Sequence, residues 1–173
     1  MIEGPPARGR IGYPDRMRDS TSLPSTILTG VLAGVAGTAA MTAFQRLVEM
    51  PLTGREESYE PAALVEKLLP IRPKSPRARR RLNYAAHFGV GLGWGAAHAA
   101  LSRRWNLHGA RGGATVFATL WPADVLGLAV AGLHAPPWKW SGVDMAVDFT
   151  DKMVLAQATG LAFDRLQARA RGL

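Results

Sequence analysis

Six ionisable side chains lie in or beside apolar stretches of this 173-residue sequence. They are two bases, a histidine and three carboxylates: Arg46, Lys152, His87, Asp124, Asp144 and Asp148. Asp148 and Lys152 are four residues apart, so a helix would place them on one face, and Asp144 would extend that face by one turn. In apolar surroundings such groups can hold a proton or a polar ligand, or they can neutralise each other in an ion-pair network that fixes helix register. Both interpretations stay open at this stage.

Other catalytic or metal-binding arrangements are not visible in the sequence. It contains no cysteine, and we find no Ser/His/Asp set and no phosphate-binding loop. His87 and His98 are eleven residues apart, as in a haem-binding helix, but His108 and His134 stand at opposite ends of the next apolar stretch and do not form a matching pair. We therefore predict a protein that is not an enzyme and that holds neither a cofactor nor a metal ion.

Four stretches of low charge surround these polar residues. They cover residues 27–48, 83–101, 112–133 and 142–166. About 20 apolar residues suffice to cross a bilayer as a helix. We therefore predict an all-α, integral membrane bundle of about four transmembrane helices in residues 26–166, preceded by a polar flexible segment at 1–25 and followed by a basic tail at 167–173. The fourth stretch opens with several charged residues, so a surface amphipathic helix after only three spans is the alternative.

The depths of the polar residues in these spans agree with one another. Asp124 would lie about 13 Å from the end of the third span, and Lys152 about 15 Å into the fourth span from the same side. Arg46 ends the first span and His87 begins the second, again on that side. The sequence therefore predicts that the ionisable residues gather in one half of the membrane, where Asp124 and Lys152 can pair, either around a water-filled cavity or in a network of ion pairs.

Small residues are spaced so that helices could approach closely. The predicted packing residues are Gly30, Gly34, Gly37, Gly91 and Gly95. Membrane helices associate through such glycine faces because the backbones can touch. Gly89 and Gly93 add a second glycine face to the second span, so we expect this helix to be central and to touch neighbours on both sides. Dimerisation through the stripe of the first span is the alternative to packing within the monomer.

The sequence between the first two spans and its flanks suggests contact with the membrane surface. Residues 51–81 form a polar loop in which Glu60–Pro70 has the pattern of a short amphipathic helix that lies on the interface or plugs the bundle mouth. The predicted interface anchors are Arg79, Arg80, Arg81, Trp138 and Trp140.

The net charge of +8 raises the possibility that the chain binds nucleic acid, but most of the basic residues flank the spans. We therefore expect contact with anionic lipid head groups and no nucleic acid. Lys and Arg number ten on one side and nine on the other, which leaves the topology open.

Three stretches resemble the YagU family of small bacterial inner-membrane proteins. They are GVLAGVAGTAAMTAFQRLVEMPL, AAHFGVGLGWGAAHAAL and GLHAPPWKWSGVDMAVDFTDKMVLAQATGLAFDRL. Together they cover most of residues 30–166. The resemblance implies four transmembrane helices in the inner membrane and carries no settled activity. The family tends to have a histidine before the apolar run of its last helix, where this sequence has Lys152.

Two function classes follow from these features. The expected one is an accessory or scaffold subunit of a larger membrane complex, or a homo-oligomer, because the chain is small, its helices have glycine faces, and its flanks are basic and rich in proline. The alternative is a small transporter or proton-conducting protein that uses the His/Asp/Lys cluster in one half of the membrane.

Overall fold

A computed structural model describes residues 22–172, and over this range the chain is helical and has no strand. The predicted all-α class is therefore confirmed. The five α-helices are α1, Leu23–Thr53; α2, Glu60–Leu68; α3, Pro76–Trp105; α4, Gly109–Val130; and α5, Gly142–Ala170. A single 3₁₀ turn, Pro137–Lys139, lies between α4 and α5. Most of the predicted N-terminal segment and the last residue lie outside the described residues.

The helix ends have recognisable local causes. The hydroxyls of Ser22, Ser75 and Ser141 each accept a hydrogen bond from a backbone N–H in the first turn of α1, α3 and α5, as N-cap serines do. At the other end, α1 stops at Gly54 (φ 68°) and α3 at Asn106 (φ 52°). Both residues adopt the left-handed conformation that terminates helices.

Several helices are longer than the predicted spans. α1 continues past Val48 to Thr53, α3 begins seven residues before Asn83, and α5 extends into the predicted basic tail as far as Ala170. The extra turns of α3 and α5 are polar, so hydropathy alone does not include them, whereas that of α1 follows Glu49 and contains Pro51. The amphipathic helix predicted between the first two spans is present as α2.

α1, and not α3, is the central helix, because it packs against α3 on one side and α5 on the other. α4 packs mainly on α5, and α2 packs on α3. A Cβ atom on Gly34 would overlap the carbonyl oxygen of Gly91, and one on Gly30 would overlap that of Gly95. Gly37 faces Thr159 of α5. The predicted packing glycines therefore lie in close backbone contacts.

The second glycine face predicted for α3 has no neighbour in the described chain. A Cβ atom on Gly89 or Gly93 would meet nothing within 4 Å. The expectation that α3 touches helices on both sides through its two glycine faces is therefore wrong within the monomer. Alternate glycines give a helix two faces without side chains. They do not determine whether other helices of the same chain pack on both faces.

Two of the described helices are long and apolar enough to cross a membrane, namely α1 and α4. Only 33% and 22% of their most apolar windows are buried, so most side chains there face outward, which differs from the core helices of soluble proteins. α3 has four glycines and two histidines in its apolar stretch, and α5 has three aspartates and a lysine in its first turns. By length and composition, two of the described helices are therefore candidate membrane spans, not four.

Two apolar clusters form the interior of the bundle. The first contains Met41, Trp94, Phe117, Leu155 and Ala156, and the second contains Ala33, Ala99 and Phe163. On α1, α3 and α5 the first cluster lies about one to two turns from the polar residues Gln45, His87 and Lys152, and the second cluster lies beyond it. The first cluster therefore forms an apolar layer, here called the middle layer, beneath the polar end of the bundle.

Candidate functional site

A cavity opens at the end of the bundle where α1 ends and where α3 and α5 begin. It offers about 190 Å³ of space to water, which is room for several water molecules. Five of the six predicted cluster residues line it: Arg46, His87, Asp144, Asp148 and Lys152. Asp124 does not line the cavity, and it reaches Lys152 from α4.

Lys152 forms the ion pair that the matched depths predict. Its ammonium group binds the Oδ2 atom of Asp124 and lies 3.9 Å from Oδ1 of Asp148. The indole Nε1 of Trp121 donates a hydrogen bond of 2.7 Å to Oδ2 of Asp148. The Lys152, Asp124 and Asp148 side chains are only 17%, 20% and 27% exposed. This group joins α4 to α5 and fixes their register.

The other three predicted residues do not contact this ion pair. Their partners are Thr42 for His87 at 3.1 Å, Glu57 for Arg46 at 3.4 Å and Arg55 for Asp144 at 2.6 Å. Asp144 also caps α5, because it accepts hydrogen bonds from Ser141. The predicted single cluster is thus several separate groups around one cavity.

Asp151 and Gln45 form a contact that the sequence did not indicate. Gln45 Nε2 donates a hydrogen bond of 2.7 Å to Oδ2 of Asp151, whose side chain lines the cavity. Asp151 is only 5% exposed. Its buried Oδ1 atom accepts no hydrogen bond from any described residue. In the structure the two residues lie at similar depth, since Gln45 is eight residues from the end of α1 and Asp151 nine residues from the start of α5, but the predicted first span ended too early to show this.

His87 contacts α1 through Thr42 at the cavity wall. The Thr42 hydroxyl lies 2.8 Å from the carbonyl oxygen of Thr38 and 3.1 Å from Nε2 of His87. The hydroxyl can donate to the carbonyl while it accepts from an Nε2–H, or it can donate to an unprotonated Nε2, and the tautomer of the ring decides which.

A π-helical segment, Gln45–Glu49, brings α1 to the cavity. It ends two residues before Pro51, which has no N–H to bond the carbonyl oxygen of Leu47. Gln45, Arg46 and Glu49 all line the cavity. π-Helical turns are frequent at functional sites, where they redirect side chains.

The cavity is acidic although the chain is basic. Seven of the 13 acidic residues of the sequence line it, namely Glu49, Glu56, Glu57, Glu60, Asp144, Asp148 and Asp151. Among residues 22–172, the lysine and arginine side chains that line it are Arg46, Arg55 and Lys152. Clefts lined by one sign of charge raise the local concentration of ions of the opposite sign.

α2 and the segment before it close one side of the cavity mouth. The buried Asn83 of α3 donates to the carbonyl oxygen of Ser58 at 2.9 Å and accepts from the backbone N–H of Ala62 at 3.1 Å. His134 Nε2 lies 3.0 Å from Glu60, and both residues line the cavity. Of the two predicted positions of the amphipathic helix, the structure favours the one at the bundle mouth.

The predicted interface anchors divide into two groups. Trp138 is 76% exposed and Arg81 is also exposed, as expected for residues that contact the membrane surface. Arg79 and Arg80 instead lie 3.0 and 3.5 Å from Glu66 and Glu57. Trp140 donates from its indole nitrogen to the carbonyl oxygen of Ala135 and lines the cavity.

Over residues 22–172, no group of three or more His, Asp or Glu side chains is placed to hold a metal ion. The carboxylates and other hydrogen-bond acceptors that line the cavity therefore stand apart from one another and do not form such a group. Comparison of the chain with protein-family models, with curated proteins and with solved structures finds no match, so the resemblance to the YagU family stays a prediction and the site is interpreted from its own geometry.

Proposed function

We propose that this chain is a multi-pass protein of the bacterial inner membrane with four transmembrane helices, and that it acts as a small transporter or proton-conducting protein. It binds its solute in the cavity between α1, α3 and α5, and it is not an enzyme. The observation that carries this proposal is the buried Asp151, one oxygen of which accepts no hydrogen bond from a described residue. Ionisable side chains within membrane helices are costly and are commonly functional.

The four-span arrangement is supported by helix length and by the direction of the charged side chains. α3 and α5 contain 30 and 29 residues, enough for about 40 Å of helix each. The charges in the first turns of α5 are directed to the cavity and to Asp124. Leu92 of α3 and Leu161 of α5 are exposed on the outside, where they would face lipid.

Transport is supported by polar cavities at both ends of the bundle. The opposite cavity is lined by residues that include Ser102, His108 and Asp164. The middle layer, which contains Trp94 and Phe117, separates the two cavities. Alternating access exposes a site to one side of the membrane at a time, so the proposal requires a second conformation in which this layer opens.

Cysteine labelling tests the two cavities, since the sequence has no cysteine of its own. We expect a charged, membrane-impermeant thiol reagent to label Val147→Cys from one side of the membrane and Ala168→Cys from the other, because these residues line the two cavities. Leu32→Cys, on the exposed apolar surface of α1, is the control and should resist the reagent in lipid.

Proton flux tests the activity itself. Vesicles that contain the protein and a trapped pH-sensitive dye should acidify faster than protein-free vesicles under an imposed membrane potential. Asp151→Asn should reduce this rate, whereas Glu66→Gln, which removes an acidic group that does not line the cavity, should not. Labelling of both cavity cysteines from one side, together with acidification no faster than in empty vesicles, would contradict the proposal.

A second candidate, an accessory subunit of a membrane complex or a homo-oligomer, is supported by the open glycine face of α3. Gly89 and Gly93 leave room for a partner helix. If this face binds a partner, Gly93→Leu should abolish its co-purification in fixed stoichiometry. Gly127→Leu is the matched control, because Gly127 of α4 is equally open. Isolation of the native chain as a lone monomer would count against this candidate.

A further inference from the structure

The segment at the cavity mouth has little apolar packing of its own. It comprises residues 55–68, which are α2 and the connection that leads to it from α1, and it is here called the mouth segment. The residues of this segment that line the cavity are Arg55, Glu56, Glu57, Ser58, Glu60 and Pro61. Among residues 55–68, all of which the structure describes, only Ala62 is buried, and neither apolar cluster of the bundle contains a residue of this segment. Segments with few buried apolar contacts open at a lower free energy than a packed core does.

On one side, the mouth segment is fixed to α3. α2 packs on α3 and on no other helix to a comparable extent. The buried Asn83 of α3 donates to the carbonyl oxygen of Ser58 and accepts from the N–H of Ala62. Detaching the segment from α3 would leave both polar groups of this buried amide without partners, which is costly.

Glu57 attaches the beginning of the mouth segment to the same helix. Its Oε1 atom accepts a hydrogen bond of 2.5 Å from the hydroxyl of Tyr84, and its Oε2 atom lies 3.5 Å from Arg80. Just before the segment, Gly54 has a φ of 68°, and a Cβ atom there would meet nothing within 4 Å. The chain can therefore change direction at Gly54, while the contacts with α3 form a pivot.

On the opposite side, polar contacts join the mouth segment to α5 and to the turn between α4 and α5. These three contacts, here called the ties, connect Arg55 to Asp144, Glu60 to His134, and Lys67 to the carbonyl oxygen of Ala131. The Arg55–Asp144 pair is 2.6 Å long, but both side chains are 42% exposed. Exposed ion pairs stabilise a structure little, and salt screens them. The ties are therefore the weaker attachment of the mouth segment.

We propose that the mouth segment is a lid, which pivots on α3 and opens the cavity on the side of α5 by breaking the three ties. Opening would leave the apolar layers beneath the cavity intact, since no residue of the segment belongs to them. The role of this motion, control of access to the solute site, rests on the proposed function.

Distances between pairs of nitroxide labels, measured by electron paramagnetic resonance on the full chain in detergent, test the motion. Leu68→Cys with Val130→Cys reports the distance from the mouth segment to α4, and Leu68→Cys with Ala85→Cys reports its distance to α3. All three positions are exposed, and the sequence has no cysteine of its own.

We expect the Leu68–Val130 pair to show a second, longer distance, which represents the open lid. Its share should rise at least about twofold between about 0.1 M and about 1 M salt, because the screening length falls from about 10 Å to about 3 Å. The Leu68–Ala85 pair should keep one distance at both salt concentrations, because the pivot stays on α3.

Variants assign the motion to the ties. Arg55→Met removes the tie to Asp144 and should raise the share of the longer distance at least about twofold at low salt. Arg77→Met is the matched control, since it removes an exposed arginine of α3 outside the mouth segment, and it should leave the distances unchanged. Lys67→Met removes the tie to Ala131 and covers the case in which Arg55→Met does not fold. Equal effects of Arg55→Met and Arg77→Met would mean that general charge, and not the tie, controls the distance, and this would overturn the proposal.

A single Leu68–Val130 distance that salt, Arg55→Met and Lys67→Met all leave unchanged would also overturn the proposal. Lengthening of the Leu68–Ala85 distance to the same extent would do so too, since α2 would then leave α3. The distances are measured without any flux, so the outcome for the lid can be separated from that for transport. A moving lid without proton flux in vesicles would support the lid and contradict the proposed function, whereas proton flux with a fixed lid would do the reverse.

Discussion

Replacing Lys152 by methionine tests the ion pair that joins α4 to α5. The variant keeps the length of the side chain and removes its charge, so Asp124 and Asp148 face each other without the ammonium group between them. Removal of one partner of a buried ion pair typically costs 3–5 kcal/mol of stability. The three side chains are still 17–27% exposed to solvent, so we expect a loss of stability at the lower end of this range, about 3 kcal/mol.

Thermal unfolding in detergent measures this effect. For a chain of this size, about 3 kcal/mol corresponds to a Tm lower by roughly 6–12 °C. Asp124→Asn added to Lys152→Met should restore much of the loss, because it removes one of the two carboxylates and Trp121 still donates to the other. Lys139→Met, at an exposed position between α4 and α5, is the control and should shift Tm little.

Equal melting temperatures of Lys152→Met and Lys139→Met would refute this reasoning. The ammonium group would then contribute no more than an exposed lysine does. The three-span alternative, with α5 on the membrane surface, would become the better description of the C-terminal region.

Three other changes have clear expected outcomes. Gly34→Leu should lower the stability of the bundle by about 1–3 kcal/mol in detergent melting experiments, because the new side chain overlaps Gly91; Gly93→Leu, which faces open space, is the control. Asn83→Ala should release the Ser58–Ala62 segment from α3, and faster proteolysis between residues 54 and 75 would show this; an unchanged cleavage rate would mean that the two hydrogen bonds are dispensable. The full-length chain should need detergent for extraction, and its recovery in a detergent-free supernatant would contradict a membrane location.

Features that depend on spacing along the chain could be predicted from the sequence. The all-α class follows from the long apolar stretches, and the close packing at Gly34 and at Gly91 follows from the glycine spacing on each helix. The pairing of Lys152 with Asp124 follows from depth, since the predicted spans place both residues at a similar distance from the same side of the membrane. Depth along a helix can be counted in the sequence.

Features that depend on rotation about a helix axis could not be predicted in this way. Lys152 and Asp151 are adjacent in sequence but about 100° apart around α5, so one contacts α4 and the other contacts α1. The helix that each side chain contacts depends on how the other helices are arranged around α5. This arrangement cannot be counted from the sequence. The central position of α1 was missed for the same reason.

The π-helical segment of α1 bears on how the chain could tolerate changes in length. A π turn holds one residue more than the α-helical turn it replaces. Deletion of Leu47, an exposed residue within it, could restore regular α-helix without disturbing the glycine contacts between residues 30 and 37. Because the π turn absorbs the extra residue, Glu49 and Met50 would keep their positions at the cavity after the deletion. A single-residue deletion here should therefore leave both the packing part and the cavity-lining part of this helix in place, so the chain can lose a residue at this position.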